Sequence, residues 1–204
     1  MSVQSAPDLD KFFTDLPCLE GERVCLRPLQ LTDAEAVYAY GQDINVARYT
    51  SWPQHESIED AKRFLHRVTE SYRAGEPSPW GVCIKNSSDG RVIGTAGFLN
   101  WNRPHARAEI GFALDKSFWG QGFTTESVRL IIRFGFETMG LNRIEGLCMV
   151  ANRSSARVME KAGMTYEGIL RSHQRVAITK EDSRYQDMKI YSILRSDWEA
   201  AKPG

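Results

Sequence analysis

The chain has 204 residues, 42% hydrophobic and 25% charged, enough for one well-buried α/β domain, and no shift in composition marks a second. Lysine plus arginine and aspartate plus glutamate number 26 each, so no overall charge draws the molecule to nucleic acid or to a membrane. Cys18, Cys25, Cys83 and Cys148 are scattered without a Cys-x-x-Cys pair, which argues against a metal site or a disulfide framework. With neither a leader-like start nor a membrane-length apolar run, a soluble, cytoplasmic protein is expected.

Residues 1–20 are polar and proline-punctuated, with Phe12-Phe13 as the one apolar pair, and read as a loose arm, packed on the surface or on a partner subunit, ahead of a single domain over 21–200. Arg23 to Arg27 forms a first strand, ended by Pro28. Thr32-Asp33-Ala34-Glu35 has capping-box spacing and predicts a helix to about Gly41. A loop is expected from Ile44 to Glu56. Ser57 to Asp60 then caps a second helix whose buried stripe is Ala61, Phe64, Leu65 and Val68. Tyr49, Trp52 and His55 make the loop aromatic; they either shape an acceptor pocket or plug the space between the helices, and His55 alone has no visible partner.

Trp80 to Ile84, the turn Asn86 to Gly90, Arg91 to Leu99 and Arg107 to Leu114 predict an antiparallel meander. Next comes Trp119-Gly120-Gln121-Gly122-Phe123-Thr124-Thr125-Glu126, followed by Val128, Ile131, Ile132, Gly135, Phe136 and Met139 on one helical face. A strand thus runs through a glycine-rich turn into a helix, whose first amides lack intrahelical partners and lie at the positive end of its dipole. An anion such as a phosphate suits that place, although an ordinary tight turn has the same spacing. The Walker pattern fails because Phe123-Thr124 stands where Lys-Ser/Thr is needed, and the dinucleotide fingerprint fails at Thr125. Arg143 to Val150 is the following strand, Asn152 to Ala162 a helix closed by Gly163, and Met164 to Val176 with Asp187 to Arg195 a final strand pair.

The block Glu109-Ile110-Gly111-Phe112-x-Leu114 followed by Trp119 to Glu126 resembles the acetyl-CoA site of the GNAT N-acetyltransferases. Asn152-Arg153-Ser154-Ser155-Ala156-Arg157-Val158 to Met164, and the tail Arg184 to Trp198, are most similar to the branch that acetylates the N-termini of ribosomal proteins. The resemblance runs from about Glu22 to Trp198. It implies an α/β (α+β) fold with a mixed, largely antiparallel seven-stranded sheet splayed in a V and about four helices. Two positions depart from the general family pattern: Trp119 replaces an Arg or Gln at the start of the pyrophosphate loop, and Thr124 a Gly or Ala. Backbone amides then carry more of the phosphate binding.

The resemblance also implies roles. Acetyl-CoA, with no metal, would lie along Phe112, Ala113 and Leu114, with its pyrophosphate on Trp119, Gly120, Gln121, Gly122, Phe123 and Thr124. Glu109 is the candidate base; the bland alternative is a strand glutamate paired with Arg107 or Arg91. A carboxylate is a weak base unless burial raises its pKa. Asn152 either caps its helix or bonds the cofactor arm. Ser155 is the candidate partner of the leaving thiolate, and also lies on the cofactor side, while Arg157 would reach cofactor phosphate or be solvated. No tyrosine between Asn152 and Gly163 could act as the acid. The late strand carries Arg171-Ser172-His173-Gln174 where the branch can carry an acceptor-facing carboxylate; His173 or Tyr166 could stand in.

The acceptor expected is a protein N-terminal α-amine, attacked within a ternary complex. A small amine (polyamine, amino acid or antibiotic) is the alternative, and a non-catalytic acyl-CoA-binding module the third reading. No nucleic-acid or membrane partner is expected, and the protein would be a monomer or homodimer.

Overall fold

The structure is a computed structural model that describes residues 13–177 and 183–201. Its strands are β1 (Leu19–Glu20), β2 (Val24–Arg27), β3 (Pro79–Ile84), β4 (Val92–Asn102), β5 (Arg107–Leu114), β6 (Arg143–Met149), β7 (Thr165–Ala177) and β8 (Ser183–Leu194). Its α-helices are α1 (Ala34–Gly41), α2 (Ile44–Ala47), α3 (Ile58–Arg73), α4 (Phe123–Glu137), α5 (Arg153–Lys161) and α6 (Arg195–Ala200). The sheet runs β1-β2-β3-β4-β5-β6-β8-β7, and every pairing is antiparallel except β5 with β6. A parallel neighbour needs a crossover, and α4 supplies it.

That single parallel contact is also where the sheet opens. β5 and β6 pair only from Arg107↔Arg143 to Ile110↔Gly146. Beyond it β5 follows β4 up to Leu114↔Gly94, while β6 follows β8 up to Met149↔Met188. The two strands therefore leave each other as the arms of a V. α4 holds the vertex from behind. Val128, Ile131, Ile132 and Phe136 are fully buried on the predicted face, and Gly135 lets the helix approach so closely that a Cβ there would lie 2.8 Å from Ile144.

Several expectations need correction. Among the described residues the sheet has eight strands, not seven, because the two-residue β1 forms inside the stretch read as an arm. The described part of that stretch is fixed to the domain: Phe13 is fully buried against Trp80 and Phe98, and the Trp80 indole donates to the Pro17 carbonyl at 2.7 Å. One buried ring explains this, since a phenylalanine contributes about 2–3 kcal/mol on burial. Six α-helices occur among the described residues rather than about four, the short α2 and α6 accounting for the difference. α2 lies in the expected 44–56 loop, started by Asp43, whose side chain accepts from the Asn45 amide at 2.8 Å. The first capping box is not Thr32 with Glu35. Asp33 instead accepts from the Gln30 amide at 2.8 Å and forms a two-pronged ion pair with Arg27, and a 3₁₀ turn precedes α1. The box at Ser57 and Asp60 forms as expected. The polar loop expected from Ile178 to Ser183 between the last two strands lies outside the described residues except for Ser183, which instead opens β8.

Candidate active site

The arms of the V enclose a cavity of about 380 Å³ lined by residues from both halves of the sheet and from α1, α3 and α5. Phe112 and Ala113 supply one arm, Leu147 to Met149 the other, and Asn152 with Ser155 one end. Glu109, Tyr49, Trp52 and His55 line it as well, so eight residues singled out in the sequence meet in one space. Leu114, the turn from Trp119 to Thr124, and Arg157 do not line it. Arg157 is exposed on α5. The turn is joined to the cavity's strand by the Trp119 indole, which donates to the Leu114 carbonyl at 2.8 Å.

At the turn, Gly120 and Gly122 take φ of +74° and +87°, in the left-handed region where side chains are strained. Gly122 is the N-cap of α4 and no side chain caps that helix. The first α4 bond runs from the Glu126 amide to the Gly122 carbonyl, and among the described residues the amides of Gly122, Phe123, Thr124 and Thr125 have no intramolecular acceptor. Nothing lies within 4 Å of a Cβ built on Gly120. Free amides, a helix dipole and open space fit a pyrophosphate.

Asn152 does cap α5: its Oδ1 accepts from the Ser155 amide at 3.1 Å. Its Nδ2 also donates to Ser155 Oγ at 2.9 Å. A hydroxyl has one proton and two lone pairs, so filling an acceptor position leaves the Ser155 proton free for a group in the cavity.

Glu109 sits at the vertex, opposite Glu145 in the last stretch where β5 and β6 still pair. It is half-buried, and Oε2 accepts from Asn100 Nδ2 at 3.0 Å. Neither expected partner reaches it. Arg107 lies 3.5 Å from Glu145, and the Arg91 guanidinium covers the Phe118 ring. Oε1 has no intramolecular partner among the described residues. Glu109 also borders a second, polar cleft of about 640 Å³ that continues past Asn100, Asn102, Arg107 and Glu145. A bulge at Leu99 brings Asn100 opposite Glu109.

Trp52 and His55 stack with ring centres 5.2 Å apart, and His55 fits only because Gly41 has no side chain: a Cβ there would lie 2.4 Å from Nδ1. That Nδ1 is buried without a hydrogen-bond partner among the described residues, and burial pushes the imidazole below its ordinary pKa, with Arg67 and Arg63 adding to the shift against Asp60. His55 is thus a neutral wall. Tyr49 packs on Met149, Val176 and Met188 and ties the loop to the far arm of the V. Burial raises the Cys148 thiol to about 11, so a cysteine lining the cavity stays protonated at neutral pH.

The late-strand stand-ins are elsewhere. His173 is exposed beside a bulge where Ser172 takes a φ of +46°, and Tyr166 stacks on Tyr191; neither lines the cavity, whereas Gln174 does. Sequence reasoning missed Tyr40 and Arg67, and placed Phe64 in the core although it is half-buried and faces the cavity. Helical spacing brought Phe64 to the right side of α3; the edge of that stripe was the signal.

Comparison with known proteins agrees with this geometry. Residues 23–165 match the family model described as an acetyltransferase (GNAT) domain. The chain is 31% identical over 179 residues to the "Uncharacterized N-acetyltransferase YoaA" of Bacillus subtilis, covering 88% of this chain and 97% of that one. It is 27% identical over 187 residues to the "Putative ribosomal N-acetyltransferase YdaF" of the same organism, covering 91% and 98%. The crystal structure of a GNAT-family acetyltransferase from Bacillus anthracis superposes with a TM-score of 0.74 at 25% identity, covering 88% of this chain and 99% of that one. Among the described residues no helix is long and apolar enough to cross a membrane.

Proposed function

Starting from the fact that the chain belongs to the GNAT family of acetyltransferases, and is an acetyl-CoA-dependent N-acetyltransferase, we propose that its acceptor is the N-terminal α-amine of a polypeptide, which attacks the acetyl group directly. Acetyl-CoA supplies the activated acyl group. The chain's own residues then have three tasks: hold the donor, deprotonate the amine, and receive the charge left on sulfur.

The free amides from Gly122 to Thr125 hold the pyrophosphate, with Gly120 leaving room and Trp119 fixing the turn to the end of β5. Phe112 and Ala113 flank the arm that enters the V. Glu109 attracts the α-ammonium group to the vertex and takes its proton, directly or through a water. An α-amine, with a pKa of about 8, needs only modest help, whereas a lysine at about 10.4 needs more. Ser155, its Oγ held by Asn152, turns its free proton toward the departing thiolate. The protonated Cys148 offers no ready nucleophile for an acetyl-enzyme, which favours transfer within one ternary complex.

The observation that carries the choice of acceptor is the position of Glu109 on the wall shared by the aromatic cavity and the polar cleft. An amine bound there has a polar path for the chain that follows it. The relation to YdaF supports the same reading. The aromatic rim of Tyr49, Trp52 and His55, with no carboxylate from Arg171 to Gln174, favours a small amine instead.

The two separate in one assay. Peptides with a free α-amine and an internal lysine are incubated with acetyl-CoA, beside polyamines and amino acids, and products are mapped by fragmentation mass spectrometry. Acetylation confined to the α-amine, and lost with Glu109→Gln, is the expected result. Turnover of the small amines alone would reverse the assignment.

A further inference from the structure

We propose that Arg23 and Glu126 act as a positioning pair that aims the amides of the glycine turn at the pyrophosphate, replacing a phosphate-binding side chain that the turn itself lacks. From Trp119 to Thr124 the turn contains no lysine or arginine. It does contain a difficulty: Glu126, in the first turn of α4, places a carboxylate at the helix end where an anion must bind.

Arg23 resolves it from outside the turn. Its guanidinium lies against the carboxylate, Nε to Oε2 at 3.2 Å, while the Arg23 and Val24 amides donate to Oε1 at 2.7 and 3.2 Å. The charge of Glu126 is thus matched by one cation and held by backbone donors at the edge of the sheet. Burial pushes its pKa upward, but the Arg23 and Val24 amides and the guanidinium outweigh this and hold it below the ordinary value. Glu126 stays charged and fixed.

The same guanidinium reaches the turn. Nη1 donates to the Gln121 carbonyl at 3.0 Å, and the group lies over the Phe123 ring at 5.1 Å. In a planar trans peptide the carbonyl and the following N–H point in opposite directions. Holding the Gln121 carbonyl toward Arg23 therefore turns the Gly122 amide the other way, to join the free amides of Phe123, Thr124 and Thr125. The contact is close: a Cβ on Gly122 would lie 3.0 Å from Arg23 Nη2. One side chain neutralises the competing carboxylate and sets the peptide plane that points at the phosphate.

Arg23→Met tests this, because it keeps a long apolar stem on Phe123 and removes both polar contacts. Two donors are compared, acetyl-CoA and S-acetylpantetheine, which carries the same thioester without the pyrophosphate. The variant should lose about tenfold in kcat/KM with acetyl-CoA, through KM, and little with S-acetylpantetheine. A merely structural clamp would lower both donors equally, since the ratio does not depend on the fraction of folded enzyme; that result, or an unchanged ratio, overturns the proposal. Should Arg23→Met fail to fold, Arg23→Lys keeps a cation beside Glu126 but loses the forked geometry. It should show the same donor-selective loss in smaller measure, and an unchanged ratio would again overturn the proposal.

Discussion

At the scale of single residues, the site depends on which way protons point. Asn152 uses both halves of its amide: Oδ1 caps α5 and Nδ2 occupies a lone pair of Ser155. Asn152→Asp separates the two tasks. The carboxylate still caps the helix, so stability should change by less than about 0.5 kcal/mol. It cannot donate, however, and it draws the Ser155 proton to itself. We expect kcat to fall on the order of tenfold or more, with an unchanged melting midpoint, close to the loss for Ser155→Ala. Full activity in Asn152→Asp would remove Ser155 from the mechanism. Glu109 shows a complementary economy. One oxygen is anchored by Asn100 and the other left open, because Arg107 and Arg91 are committed elsewhere.

At the scale of elements, the candidate active site follows from a pairing that stops. β5 and β6 share four residue pairs and then diverge, each retained by its outer neighbour. Below the vertex the far arm is braced by Arg143 on β6, which bonds Glu145 at 2.6 Å, Ser192 on β8 at 3.0 Å and Glu167 on β7 at 2.8 Å. The Arg143 guanidinium, then the Ser192 hydroxyl, hold Glu167 down to about 2 from an ordinary 4.5. With a lowered folded-state value, the stabilisation is present above pH 4.5 and is lost as pH falls toward 2. Glu167→Gln should therefore cost on the order of 1 kcal/mol or less at pH 7, since the pair is partly exposed. Urea titrations should show the gap from the native protein narrowing below about pH 4.5. A gap that is constant with pH would mean the pair contributes nothing through charge.

These elements differ in how readily the sequence shows them. The face of α4, the glycine turn and the Asn152 cap were legible because each follows from local spacing and backbone geometry. α2 was not, since four residues give no periodicity. Nor was the pairing of Asp33 with Arg27, where a tertiary ion pair overrode the local box from Thr32 to Glu35.

At the scale of the molecule, the fold brings residues far apart in the chain to one cavity, from Val37 on α1 to Met188 on β8. What holds the early end in register lies still earlier: Phe13 in the core and the Pro17 carbonyl under Trp80. Two adjacent phenylalanines in a polar stretch carry no periodicity, so the burial of Phe13 could be found only in three dimensions. The same is true of the polar cleft beside Glu109, whose lining comes from three strands and from Arg103 and Pro104 in the 3₁₀ turn that joins β4 to β5. The residues of the proposed chemistry stand in local motifs; the cleft proposed as the acceptor's path is a property of the assembled sheet.

That path is the point on which the account stands. The most direct measurement is kcat/KM for acceptors that share one N-terminal residue and differ in length: an amino-acid amide, a dipeptide amide, a tetrapeptide and a hexapeptide. If the chain beyond the amine lies along the cleft, kcat/KM rises through the first few added residues and then levels, and Asn102→Ala flattens the rise without affecting the amino-acid amide. A series that is flat, or that falls as residues are added, would contradict the account and make the acceptor a small amine enclosed by Tyr49, Trp52 and His55.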